Sequence, residues 1–276
     1  MSFLAEMADG SRMRVEAARR RTPEAELHAR IRALPPAPRL ARHAQSFDLI
    51  AEVKLRSPAA GALAGRGSDD PAERVAAYAR AGAAAVSVLT EPSRFDGSME
   101  HLEMAANALA HLDVPAMRKD FLVDPYQVLE ARAAGAGGVL VILRMLRREE
   151  IDALIESALD LSMFALLEAF DERDLELASR IVASGAESGR LLVGVNCRDL
   201  TTLQVVPDRL TELAKHLPAS VPCVAESGVA TPDDARRVAA CGYDCALVGS
   251  ALMTAADPAA LVRELLTAGR QVRSAG

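Results

Sequence analysis

From Asp48 onward one pattern recurs eight times: a short β-branched, apolar run, a turn, and an Ala-, Leu-, Arg- and Glu-rich stretch with helical period. The apolar runs are Ile50 to Lys54, Ala85 to Thr90, Ala116 to Lys119, Gly138 to Leu143, Phe164 to Glu168, Leu192 to Asn196, Cys223 to Glu226 and Cys245 to Gly249. Their ends recur at intervals of roughly 23 to 36 residues, the length of one strand plus one helix. Asp70-Pro71, Asp124-Pro125 and Thr231-Pro232 each place a capping side chain before a proline at the first helical position. Eight such units predict a closed (β/α)8 TIM barrel. The open doubly wound sheet usually carries a Gly-x-Gly-x-x-Gly turn after its first strand, whereas Glu52-Val53-Lys54-Leu55-Arg56-Ser57-Pro58 follows here. Residues 1 to about 33 have helical spacing and stop at Leu34-Pro35-Pro36-Ala37-Pro38. Residues 1–276 therefore read as a single barrel domain, of which 1–47 form an N-terminal helical extension. The Arg19-Arg20-Arg21 cluster in that extension reads as a solvated helix face.

Composition narrows the function. Half of the 276 residues are hydrophobic, 25% are charged and 3% are aromatic, a globular balance that excludes a disordered, collagen-like or disulfide-scaffold chain. A net charge of -6 spread along the chain gives no electrostatic footprint for nucleic acid or an anionic membrane surface. Cys197, Cys223, Cys241 and Cys245 lack the spacing of a disulfide framework or a zinc site, and are read as reduced, buried thiols. The longest apolar run, Ala133 to Leu143, is too short to span a bilayer. Glu6 and Asp9 come early, and no apolar stretch follows the arginine cluster. The expectation is a cytoplasmic protein with no nucleic-acid or membrane partner; the oligomeric state stays open, a monomer being slightly favoured.

In a barrel the chemistry sits at the C-terminal ends of the strands, where the loops converge over one mouth. Strand one ends with Glu52 and Lys54, two residues apart and so on one face. Strand three ends with Lys119, strand five with Glu168, strand six with Asn196, and strand seven with Glu226 before Ser227-Gly228; strand eight runs into Gly249-Ser250. Each charged residue alone reads as well as a structural ion pair or a solvated rim residue. Together they place carboxylates, lysines and an amide at matching positions of different repeats, as acid–base chemistry in a shielded mouth requires. The histidines His28, His43, His101, His111 and His216 all fall in helical or connecting segments, so no metal and no Ser-His nucleophile is expected. The Ser227-Gly228 and Gly249-Ser250 turns follow the two strands where barrels often bind phosphate. Gly61 to Gly67 reads as a flexible loop after strand one.

These residues resemble the indole-3-glycerol phosphate synthase family over nearly the whole chain. The likeness rests on Ile50-Ala-Glu-Val-Lys54 with Ser57-Pro58, Ser87-Val-Leu-Thr-Glu91, Phe95-Asp-Gly-Ser98, Arg118-Lys-Asp-Phe121, Asp124-Pro-Tyr-Gln127, Gly194 to Leu200, Ala225-Glu-Ser-Gly228 and Val248-Gly-Ser250. The basic helical extension is also similar to the family's, which packs near the barrel mouth. The resemblance implies a phosphorylated small-molecule substrate, 1-(2-carboxyphenylamino)-1-deoxyribulose 5-phosphate, undergoing ring closure, decarboxylation and dehydration without a cofactor. It implies that Lys119 is the general acid at the ketone oxygen and Glu168 its acid–base partner. Lys54 would contact the substrate carboxylate and assist as an acid, while Glu52, Asn196 and Glu226 orient lysines and substrate hydroxyls. Ser57, Ser227, Gly228, Gly249 and Ser250 match the family's substrate and phosphate contacts. Three positions depart from the family pattern: Leu55 replaces a basic residue, Ala59 a serine, and Phe170 a more polar residue after strand five.

Two other readings compete. A phosphoribosylanthranilate isomerase would share the Gly-Ser turns but expects a cysteine at the end of strand one, where Glu52-Val53-Lys54 stands. A paralogue of a specialised pathway, or a silent phosphate-binding barrel, accords with the departures, although no charged strand-end residue of the matched set is lost.

Overall fold

The computed structural model describes residues 2–42, 46–54, 56, 57, 61, 62, 70–184, 188–199, 202, 204–206 and 208–274. Two helices, α1 (Phe3–Arg21) and α2 (Glu24–Ala33), precede the first strand. The barrel strands are β1 (Asp48–Val53), β2 (Ala85–Leu89), β3 (Ala116–Lys119), β4 (Gly138–Ile142), β5 (Phe164–Ala169), β6 (Leu191–Asn196), β7 (Cys223–Glu226) and β8 (Cys245–Val248), and in the loop after β1 Arg56–Ser57 pairs antiparallel with Gly61–Ala62. Each pairs in parallel with its sequence neighbours, and β8 pairs with β1, closing the barrel. Helices follow the strands in the expected places, and Asp70, Asp124 and Thr231 each accept a hydrogen bond from the first turn of the helix they cap. Lys54 and Thr90 lie just past the last paired residues of their strands. The loop residues Leu55, Ala59 and 63–69, and the side chain of Ser57, lie outside the described residues.

The strands read as continuous apolar runs because both faces are buried. Leu49, Ala51, Val53, Val86, Val88, Val139 and Val141 face outward and pack against the helices. Ile50, Met117, Leu140, Leu166, Leu192, Val224 and Leu247 face inward and fill the barrel. Ile50 stands beside Ala85 on one side and Leu247 on the other, so side chains at the same height form stacked layers.

Arg118 faces outward from β3 and joins four parts of the chain. Its guanidinium donates to the Gln127 carbonyl at 2.8 Å and to Glu130, Asp120 and Thr90, each at 3.2 Å. Asp120 also accepts from the Thr90 hydroxyl at 2.8 Å and from Arg14 of α1 at 2.9 Å. The extension is thereby bonded to the rim of the mouth. Gln127 donates to Ser11 and the Tyr126 hydroxyl to the Thr22 carbonyl, while Ala8, Val15, Ala18 and Leu27 pack on Val123, Tyr126 and Leu129. The arginine cluster is therefore not simply a solvated face: Arg19 pairs with Asp124 at 2.8 Å and lies over the Tyr126 ring, whereas Arg20 remains exposed.

Removing the Arg118 charge strands Asp120 in a buried setting with a reduced set of partners. Arg118→Met is expected to lower the unfolding free energy by about 3–5 kcal/mol, measured by urea denaturation against the parent chain.

Candidate active site

The strand ends deliver their polar side chains to one place. Lys119 of β3 reaches across the mouth, where its ammonium donates to Glu168 Oε1 of β5 at 3.1 Å and Glu226 Oε2 of β7 at 3.2 Å. Both carboxylates are almost wholly buried. Asn196 of β6 stands between them, donating to Glu168 Oε1 at 2.9 Å. Its own carbonyl oxygen accepts from the Ser227 hydroxyl at 3.0 Å and the Arg198 backbone at 2.9 Å, which fixes the orientation of the amide. Glu226 enters the barrel only because β6 carries Gly194 beside it: a Cβ there would lie 2.0 Å from Glu226 Oε1. That oxygen is buried without a hydrogen-bond partner among the described residues.

Lys54 and Glu52 form a second pair, at 2.8 Å. Burial opposes the Glu52 charge, but Lys54, Lys119 and Arg198 outweigh it and hold the carboxyl below its ordinary value. Gly249 is needed here too, because a Cβ would come within 2.4 Å of Glu52 Oε1. The glycine read from sequence as a backbone donor for phosphate thus has a packing reason of its own. At the β7 turn, Ser227 and Gly228 are both left-handed, with φ of 63° and 71°.

Glu52, Lys54, Lys119, Glu168, Asn196, Arg198, Glu226 and Ser227 line one cavity of about 340 Å³. Ser227, Gly228, Gly249 and Ser250 form its β7–β8 side, and across the barrel Leu140, Ile142, Phe95, Phe121 and Phe170, with Phe3 and Leu4 from α1, make a wall that is apolar apart from Asp120, whose oxygens are engaged by Arg118, Thr90 and Arg14. Phe121 lies edge-on to Phe3 at 5.8 Å and beside Phe95 at 6.3 Å. A site with an aromatic wall on one side, glycine turns on the other and an acid–base cluster between suits a molecule with an aromatic and an anionic end. Among the described residues no group of three or more His, Cys, Asp or Glu is placed to hold a metal ion, and no described histidine lines the cavity. The described cysteines are free; Cys197, Cys223 and Cys245 are buried, whereas Cys241 is half-buried.

Sequence reading quoted Phe95, Phe121 and the stretch containing Arg198 as family motifs without giving them a place in the site, and passed over Phe3 and Leu4. Phe121 and Arg198 stand two residues beyond Lys119 and Asn196, so strand parity was the available signal. No local pattern points to Phe3 and Leu4, which reach the mouth through the docking of α1.

The family model described as "Indole-3-glycerol phosphate synthase" matches residues 4–265. A relative of that name from Parafrankia sp. (strain EAN1pec) is 43% identical over 98% of this chain and 97% of its own length. One from Saccharopolyspora erythraea is 41% identical over 98% and 96%. Among solved structures, 3-hexulose-6-phosphate synthase from Salmonella typhimurium aligns with a TM-score of 0.62 at 17% identity, covering 82% of this chain and all of that one. Thiamine phosphate pyrophosphorylase from Pyrococcus furiosus aligns at 0.57 and 18%, covering 83% and 99%. At such identities the two structures show a shared barrel fold.

The three charges of the central cluster are unequal. Burial opposes the Lys119 charge, yet Glu168, Glu226 and Glu52 outweigh it and raise its proton affinity far above that of an ordinary lysine. For Glu226, burial dominates: it pushes the carboxyl up to about 8, with Glu168 adding to the rise and Lys119 opposing it. The folded chain therefore binds a proton at Glu226 that the unfolded chain releases near 4.5. Stability from this group is greatest at low pH and declines as pH rises from about 4.5 to about 8, by at most about 1.4 kcal/mol per pH unit. Lys119 stays charged in both states across that window and adds no slope. Glu226→Gln is expected to remove this decline, so that the difference in urea midpoint between parent and variant changes steadily from pH 5 to pH 8 and levels off above it.

Proposed function

The chain belongs to the indole-3-glycerol phosphate synthase family, carboxy-lyases of tryptophan biosynthesis that act on a small phosphorylated substrate, and from that premise we propose that Lys119, Glu168 and Lys54 carry its proton transfers. The reaction closes a five-membered ring on 1-(2-carboxyphenylamino)-1-deoxyribulose 5-phosphate, then loses carbon dioxide and water. The observation that carries the assignment of roles is the Lys119 ammonium, held in a buried mouth by Glu168 and Glu226.

In the first step the ring carbon bearing the carboxylate attacks the keto carbon, and the keto oxygen takes a proton from Lys119. A cation fixed at that point stabilises the charge that develops on oxygen, and its effect is strengthened by exclusion of water. Departure of carbon dioxide returns the bonding pair to the ring and restores aromaticity. Lys54, which faces the carboxylate in this reading, is then free to protonate the departing hydroxyl. Glu168 takes the proton released as the new double bond forms. Two protons are delivered and one is recovered, matching conversion of a carboxylate into neutral carbon dioxide. Glu52 and Glu226 orient the two lysines, and Asn196 orients Glu168. The turns at Ser227-Gly228 and Gly249-Ser250 hold the phosphate through backbone N–H groups, with Ser57 contributing from the first loop. In this reading residues 1–47 and the barrel act as one catalytic unit, because α1 supplies Phe3 and Leu4 to the wall.

Turnover is followed by the fluorescence of the indole product against a protein free of tryptophan. The parent chain is expected to form indole-3-glycerol phosphate, with kcat falling about 10²- to 10⁴-fold in Lys119→Ala and in Glu168→Gln. Substrate binding without product in the parent chain would instead point to a silent barrel.

A further inference from the structure

Phe170 stands just past the end of β5, two residues beyond Glu168, and its ring packs with the inward-facing apolar cluster and lines the same cavity as that carboxylate. Two contacts hold it there, one at its ring and one at its backbone N–H. The Arg144 guanidinium lies over the ring, 4.7 Å from its centroid, and does not itself line the cavity. Arg144 Nε donates to Asp174 Oδ2 at 2.8 Å, and its Nη2 is engaged by both Asp171 and Asp174. Asp174 Oδ2 also accepts from the Phe170 backbone N–H at 2.9 Å. One carboxylate thus anchors both the backbone of Phe170 and the cation behind its ring. With Arg144 committed in this way, the face offered to the cavity is hydrocarbon, continuous with Phe121, Leu140 and Ile142.

Resting on the function proposed above, we propose that Phe170, positioned by Arg144, sets ring specificity: the site favours substrates whose aromatic ring carries a small apolar substituent, methyl or halogen, over those carrying a hydroxyl. The β3–β5 wall lies opposite the glycine turns of β7 and β8 in the closed strand order. A substrate anchored by phosphate at those turns therefore lays its ring against this wall. A hydroxyl there loses its water and meets no partner on hydrocarbon, whereas a methyl group gains contact.

The test measures dissociation constants of non-cyclising analogues, in which the keto group is reduced to an alcohol and the ring carries either methyl or hydroxyl; it does not depend on turnover. The parent chain is expected to bind the methyl analogue about 10- to 100-fold more tightly. Phe170→Asn should bring that ratio near one, and Phe170→Leu should keep most of it. Arg144→Gln should reduce the ratio several-fold, and should change nothing further in the Phe170→Asn background, as expected of a residue acting through the ring. Both Phe170 variants leave the Arg144–Asp174 pair in place, so they report even where Arg144→Gln folds poorly. A parent ratio near one, or one unchanged by Phe170→Asn, overturns the specificity proposal; equal effects of Arg144→Gln with and without the ring overturn its positioning part. Turnover of the unsubstituted substrate, measured alongside, separates failure of this inference from failure of the proposed function.

Discussion

The ammonium of Lys119 is taken largely out of water and held by carboxylates from two other strands, β5 and β7. Such a charge is tolerated only where its partners are fixed, since desolvation opposes it and an unpaired charge in the same place would be strongly destabilising. Fixing the partners sets demands on the rest of the barrel. Asn196 must orient Glu168, Ser227 and the Arg198 backbone must orient Asn196, and β6 must carry a glycine where Glu226 passes. The same crowding gives Glu226 its raised proton affinity. The scaffold and the acid–base set are therefore one arrangement, in which the strand order decides which charges meet.

Much of this was legible along the chain. Strand ends are one-dimensional features, and the rule that chemistry gathers there turned eight short runs into a set of neighbours before any geometry was known. Glu52, Lys54, Lys119, Glu168, Asn196 and Glu226 line the same cavity for that reason. The pairings within the set were not legible, because they depend on how far each side chain reaches across the mouth. Lys119 bonds to Glu168 of β5 and Glu226 of β7 rather than to Glu52 of β1, which is as near as β5 in strand order, and nothing in its own repeat indicates this. The outward-facing Arg118 network was hidden for another cause: its partners come from β3, the following helix, the end of β2 and α1, and a buried arginine in a strand run has no local signature.

The leading helices show how a distant segment enters the site. Arg14 bonds to Asp120, and Ser11 and Thr22 accept from the helix after β3, placing the start of α1 over the mouth. Phe3 then meets Phe121 edge-on, and an apolar rim results from residues more than 100 positions apart. Two acidic residues of the rim, Glu91 and Asp120, face Arg14 in this junction, so the extension is held by charge as well as by packing.

The segment Arg118-Lys119-Asp120-Phe121 packs two duties into four consecutive residues by alternation. Arg118 and Asp120 hold the helix and α1, Asp120 at the edge of the cavity, while Lys119 and Phe121 turn inward to the charged cluster and the apolar wall. Because the side-chain period is two, inserting or deleting a single residue here would exchange the duties of all four at once. Point changes can alter one role at a time, but the length of this stretch has no neighbouring solution. Variation in this barrel is thereby channelled into substitution along β3 and into changes of length in the loops beyond it.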